Sequence, residues 1–315
     1  MDALRNGYAK LYKYRRHIAG GIALALYVKN GQRNFLPEYL LVPYTASLEC
    51  LKYPGEYQRW LVRITKRDCG YDGPILPYAS TTVGVVSGGL NGFGSLKPTS
   101  YIGIPRNFYC DNMIEVSEID LRFVAGKAIQ PNTKNEIQLL ESLVLSEAAQ
   151  KYAVALHLMY LKGNWAFAES LLSPLMVAIG YSLVFHLPKF IFSNQSLLIS
   201  LIRYQLVAVF ASFFLCKLAW AQLYQMRNYS VAKKAAEISD EYAQGAVEYY
   251  RKEREFNMAC RVLLGQKGEK RYTALGNIKD GLVLNWNGPS NTDLDRQAKL
   301  VLEKFEKEDS VVVSS

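Results

Sequence analysis

The chain is expected to fold as a mainly helical α+β protein, anchored to a membrane by a helical hairpin, with one soluble domain on a single membrane face. Three observations predict this. Two apolar blocks, 171–192 and 196–220, are separated by only Ser193-Asn194-Gln195, a link so short that the helices must be antiparallel. Helical periodicity dominates the residues on either side of the hairpin. A stretch rich in turn-formers and β-branched residues supplies the strands. Half of the 315 residues are hydrophobic and 21% are charged, ordinary values for a globular chain, so any membrane part must be local.

Residues 1–17 read as a mitochondrial targeting-like basic segment. Arg5, Lys10, Lys13, Arg15 and Arg16 stand against one acid, Asp2, with Leu4, Tyr8, Leu11, Tyr12 and Tyr14 interleaved. A secretory signal is the alternative, because the apolar run Ile18–Val28 has the length of a signal-peptide core. No small-residue cleavage site follows it, however. Residues 18–34 could instead form a short N-terminal membrane anchor, with Arg16 and Lys29 reaching to the interface.

Residues 35–170 form the first part of the soluble domain. Up to Pro131 it is strand-rich, with Thr81–Val86, Tyr101–Ile104 and Leu121–Val124 as the expected strands. Gly88–Gly94 reads as a loop and does not match a dinucleotide-binding fingerprint. A helix is expected from Glu136 to Lys162, its stripe Ile137, Leu140, Val144, Ala148, Tyr152, Ala155 and Met159, and Gly163-Asn164 ends it.

The hairpin occupies residues 171–220. Ser173-Pro174 would serve as N-cap and first residue of its first helix. Its second block places twelve large apolar residues between Leu197 and Leu215, worth about −5 kcal/mol of insertion free energy, against a smaller penalty for Arg203 near one end. Arg203 and Gln205 are polar groups within the block and so candidates for a functional role, but their position near its end fits a lipid-headgroup contact equally well. Trp220 and Tyr224, with Lys217, fit an interfacial belt. A buried soluble hairpin is the alternative.

Residues 221–315 form the helical second part of the domain. Ser230–Leu264 reads as one long helix or a broken pair, with Gly265 just past its end. Thr292–Lys307 reads as an amphipathic helix with Leu294, Ala298, Val301 and Phe305 on one face.

No catalytic, cofactor-binding or metal-ligating residue is assigned, no cofactor is implied, and the chain is expected not to be an enzyme. His17, His157 and His186 match no hydrolase or metalloprotease motif, and His157 lacks a carboxylate at helical spacing. Gly265–Lys270 lacks phosphate-loop spacing. Cys50, Cys69, Cys110, Cys216 and Cys260 are too dispersed for a metal site or disulfide framework and read as free thiols, although one bridge, Cys50–Cys69 or Cys69–Cys110, would be open to an oxidising compartment. The net charge of +9 suits a membrane surface or a mitochondrion; no nucleic-acid module is present, and nucleic acid is not an expected partner.

Four stretches resemble the metazoan transmembrane protein 177 family: Tyr101-Ile-Gly-Ile-Pro; Leu145-Ser-Glu-Ala-Ala-Gln-Lys-Tyr-Ala with Tyr160-Leu; Gly245-Ala-Val-Glu-Tyr-Tyr; and Leu263-Leu-Gly-Gln-Lys-Gly-Glu-Lys-Arg-Tyr-Thr-Ala-Leu-Gly-Asn-Ile. The resemblance implies a multi-pass protein of the mitochondrial inner membrane that assists cytochrome c oxidase assembly, its partners being newly made subunit II and the membrane chaperone of that subunit. Alternatives from other classes are a membrane-bound hydrolase with an unrecognised site and a lipid- or ribosome-associated membrane anchor. The order helix, hairpin, helix also resembles membrane zinc peptidases, as a degenerate scaffold: Leu156–Tyr160 would replace the zinc-binding motif, and Asp240–Gln244 the second one, with Gln244 where an aspartate belongs.

Overall fold

Capping residues and glycines decide where the helices start and stop. The computed structural model describes residues 14, 17–25, 56–79, 90–91, 100–119, 131–163, 165–185, 198–279 and 289–313. Residues 17–25 are helical, with Ile18, Ile22 and Leu24 exposed. The rest of the N-terminal basic segment and anchor lies outside the described residues.

The first domain element is a helix, α1, Glu56–Asp68, within the stretch the sequence suggested was strand-rich. Its buried face is Gln58, Leu61, Val62 and Thr65, a helical spacing half made of polar residues. A small sheet follows: β1 (Ile75–Ala79), β2 (Leu90–Asn91) and β3 (Ser100–Ile104). β3 lies in the middle, parallel to β1 with Ile75 opposite Ser100, and antiparallel to β2 with Leu90 opposite Ile102. The expected strand at Tyr101–Ile104 is therefore present. β2 falls inside the glycine stretch read as a loop. The expected strands Thr81–Val86 and Leu121–Val124 lie outside the described residues.

A 3-10 turn, Arg106–Tyr109, and a short helix α2, Met113–Ser117, lead to α3, Lys134–Leu143, which opens with a capping box between Thr133 and Glu136. The sequence reading of one helix from 136 to 162 is corrected here. Val144 is extended (φ −84°, ψ 113°), and Ser146 caps a separate helix α4, Glu147–Lys162, by accepting from the Ala149 amide. Gly163 ends it, as expected.

The hairpin follows. α5 spans Trp165–Phe185 and α6 Leu198–Ala236. The first helix begins well before Ser173-Pro174, and Pro174 lies inside it rather than at its start. Gly180 sits against Ser212, and Glu169 pairs with Arg227, so the two helices run antiparallel. With 39 residues, α6 is a rod about 58 Å long. Its lower half lies beside α4, where the Tyr152 hydroxyl reaches the Ala232 carbonyl at 3.4 Å. The hairpin thus rises directly out of the domain.

The broken-pair reading of 230–264 holds. α6 ends at Ala236 and α7 runs Asp240–Leu263. Gly265 follows in the left-handed region (φ 55°), then α8, Gln266–Arg271. Last comes α9, Asn291–Val313, burying Leu294, Ala298 and Val301 as expected. The domain core unites both halves of the chain: Leu61, Ile102, Ile104, Phe108, Leu139, Leu143, Tyr152, Leu158, Tyr242 and Tyr249 are all buried. Cys69, Cys110, Cys216 and Cys260 are free thiols, so neither of the two bridges considered is formed.

Candidate functional site

The candidate site is the hairpin together with the foot on which it stands. α4 and α7 make the base by packing backbone against backbone. A β-carbon built on Gly245 would overlap the Ala148 carbonyl and lie 3.0 Å from the Ala149 nitrogen. The same seam holds Ser146, whose amide donates to Glu248 Oε1 at 3.0 Å, and Lys151, whose ammonium donates to Glu241 at 2.8 Å. Behind it, Tyr152 and Tyr250 share a hydroxyl–hydroxyl hydrogen bond of 2.9 Å, with Tyr249 edge-on to both rings. Glu253 stands one turn further. Although part of this residue still faces solvent, burial of its carboxyl pushes its pKa up to about 7, with the neighbouring Asn291 side chain opposing the shift.

Where the hairpin leaves the domain, Arg227 of α6 lies 3.7 Å from the Tyr224 ring centre and 5.4 Å from that of Tyr160. It pairs with Glu169 of α5, which also accepts from the Tyr160 hydroxyl at 3.2 Å. Burial opposes the Arg227 charge, but Glu169 and the two tyrosines outweigh it and raise its pKa. Burial, then Glu169, pushes the Tyr160 phenol up as well. Three helices meet in this one group, and their relative positions are fixed there.

Above the foot, apolar side chains face outward. Leu171, Leu175 and Ile179 recur every fourth residue on α5, with Leu175 55% exposed. On α6, Val207, Phe210, Phe213, Phe214 and Leu215 are exposed, Phe210 to 72%. Contiguous apolar surface of this kind marks a contact with lipid or protein rather than with water. Among the described residues, however, no helix is both long and apolar enough to cross a membrane. Arg203 and Gln205 lie near the start of α6.

The two segments of the peptidase-like reading lie on α4 and α7. Gln244 donates to Asp240 at 2.6 Å on the exposed side of α7. The Lys151–Glu241 contact sets the α4 level at which that segment sits, and His157 stands six residues beyond Lys151, about 9 Å along the helix. Among the described residues no group of three His, Cys, Asp or Glu could hold a metal ion. Sequence reasoning missed the foot: Glu169 and Arg227 stand 58 residues apart, and only the hairpin register brings them together.

Comparison with known proteins bears on this arrangement. The chain is 30% identical over 202 residues to transmembrane protein 177 of Homo sapiens, covering 64% of this chain and 63% of that protein. It is 29% identical over 208 residues to the protein of that name from Xenopus laevis, 64% of this chain and 66% of the relative. For Danio rerio the identity is 29% over 193 residues, 58% and 59%. The chain thus spans a little under two thirds of the length of these relatives. No family model matches, and no solved structure matches.

Proposed function

The chain belongs to the transmembrane protein 177 family, and from that premise we propose that it is a non-catalytic assembly and stabilisation factor, anchored in the mitochondrial inner membrane as a multi-pass protein. Its client is cytochrome c oxidase, through newly made subunit II and the membrane chaperone of that subunit. One observation carries the reading: a rigid antiparallel hairpin presents outward apolar stripes, Leu171–Leu175–Ile179 and Val207–Phe210–Phe214, while its foot is locked to a folded domain. Helices of a client can pack on such a surface within the bilayer, and the close approach at Gly180 and Ser212 is the small-residue packing used between membrane helices.

The test is a pulse label of mitochondrial translation products followed by mild solubilisation and capture of the tagged chain. Enrichment of oxidase subunit II over the other labelled products supports the reading. An intact bait that recovers no labelled product sinks the client assignment and leaves the anchored domain.

A further inference from the structure

We propose that the exposed basic face of α1 is a docking surface for anionic phospholipid headgroups, set beside the point where the hairpin enters the membrane. The inference rests on the membrane reading of the hairpin given above. Two contacts fix the geometry. The Tyr57 hydroxyl donates to Gln150 Oε1 at 2.8 Å, and the Lys162 ammonium donates to the Cys69 carbonyl at 2.9 Å, both across a separation of 93 residues. α1 and α4 therefore run parallel in one register, with each residue of α1 level with the residue 93 places later. Arg67 is level with Tyr160, at the foot of the hairpin, and Lys66 with Met159. Arg63 lies one turn deeper.

Arg59, Arg63 and Arg67 recur every fourth residue and are exposed, and Lys66 is half-buried beside them. The Arg67 side chain is 75% exposed. Among the described residues Asp68 offsets one of these charges, pairing with Arg67 at 3.3 Å while its other oxygen accepts from the Tyr242 hydroxyl at 2.9 Å, and Arg63 and Lys66 remain in excess. Glu56 stands at the opposite end of the helix, and Asp72 lies beyond the Gly70 turn. Favourable interaction with the helix dipole accounts for Lys66 and Arg67 in the last turn, but not for Arg63.

A headgroup layer extends several ångströms beyond the hydrocarbon on each side. At that depth sits the enclosed foot of Tyr160, Tyr224, Arg227 and Glu169, and the α1 cations lie on the outer surface at the same level. The complementary surface is a layer of phosphates. A basic surface of this kind adds headgroup contacts to the side of the domain nearest the foot and so strengthens the attachment that the hairpin makes.

The test uses the purified full chain in an uncharged detergent, titrated with fluorescent phosphatidylglycerol and in parallel with the phosphatidylcholine analogue. The wild type is expected to prefer phosphatidylglycerol. Arg63→Gln/Lys66→Gln/Arg67→Gln should weaken phosphatidylglycerol binding by about tenfold or more. Removing the same charge from the far end of the domain, Lys267→Gln/Lys270→Gln/Arg271→Gln, should leave it unchanged. Should the first triple variant fail to fold, Arg63→Gln alone must give a smaller loss of the same sign. Equal losses in both triple variants, or no preference between the two lipids, overturn the proposal. Displacement of the lipid by polyglutamate at equal charge, with polyglutamate binding the tighter, would assign the surface to an acidic protein and overturn it too. Alkaline extraction of the wild type from membranes separates the two readings: release removes the spanning hairpin, while the lipid titration still judges the α1 surface.

Discussion

Gly245 lies so close to Ala148 that the two helices carrying them touch through their backbones, and any side chain at 245 must push α4 and α7 apart. An added methyl group meets a carbonyl and an amide, neither of which can turn aside. Gly245→Ala should therefore lower stability by about 1–3 kcal/mol despite the better helix propensity of alanine. Denaturant unfolding of the solubilised chain would show this as a lower midpoint with an unchanged slope.

The Arg227–Glu169 pair is enclosed at the hairpin foot, with 13% and 18% of the side chains exposed. Arg227→Ala leaves Glu169 without its cation and strips the stacking on Tyr224. A loss of about 3 kcal/mol is expected. Arg227→Lys should recover only part of it, because an ammonium cannot lie flat on the ring. A double-mutant cycle with Glu169→Gln gives the coupling energy directly; a coupling near zero would remove the clamp from the account.

Glu253 makes stability depend on pH. Its carboxyl holds a proton up to about 7 in the folded chain, against an ordinary value of 4.5. Below 4.5 both folded and unfolded chains are protonated, and the group is neutral in its effect. Between 4.5 and about 7 the unfolded chain releases the proton first, so the folded state loses stability as pH rises. Tyr152, Tyr249, Tyr250 and Tyr272 feel the same carboxylate, and Asn291 faces it from α9. Glu253→Gln should flatten the melting-temperature profile over that window and be the more stable form above it. Parallel profiles for the two proteins would contradict the assignment.

Ser146 starts α4 and anchors Glu248 of α7. Ser146→Ala removes the cap on the Ala149 amide and the hydroxyl bond to Glu248 Oε2, keeps the backbone bond to Oε1, and should cost about 1–2 kcal/mol. Glu248→Gln, which keeps a hydrogen-bond acceptor, should cost less. Thermal melts of the three proteins rank these effects.

The stretches that resembled a known family turned out to build the fold. Residues 145–153 and 245–250 face each other across the α4–α7 seam, through Ser146–Glu248, Ala148–Gly245 and Tyr152–Tyr250. In the stretch 263–278, Gly268 lies against the Arg261 carbonyl and Gly276 against that of Arg254, while Asn257 donates to the Gly276 carbonyl at 2.8 Å. These positions are legible because backbone contact restricts them to glycine. The break between α3 and α4 was hidden because both helices bury their faces in one core, so the spacing of Leu140, Val144 and Ala148 runs through it. α1 was missed because Gln58 and Thr65 fill half of its buried stripe. β1 was missed because Pro77 sits inside it, where a ladder amide is lost. The hairpin foot depends on register between distant residues, which no local pattern carries.

The anchored hairpin is tested most directly by comparing positions that the protein exposes to a similar degree. Leu175 is 55% exposed on α5 and Leu275 is 66% exposed in the loop after α8. With the five native cysteines replaced, single cysteines at these two positions are treated with a membrane-impermeant maleimide in membranes opened to give access to both faces. The account predicts rapid labelling at 275 and none at 175 until detergent removes the lipid. Equal labelling at both positions before solubilisation would contradict it.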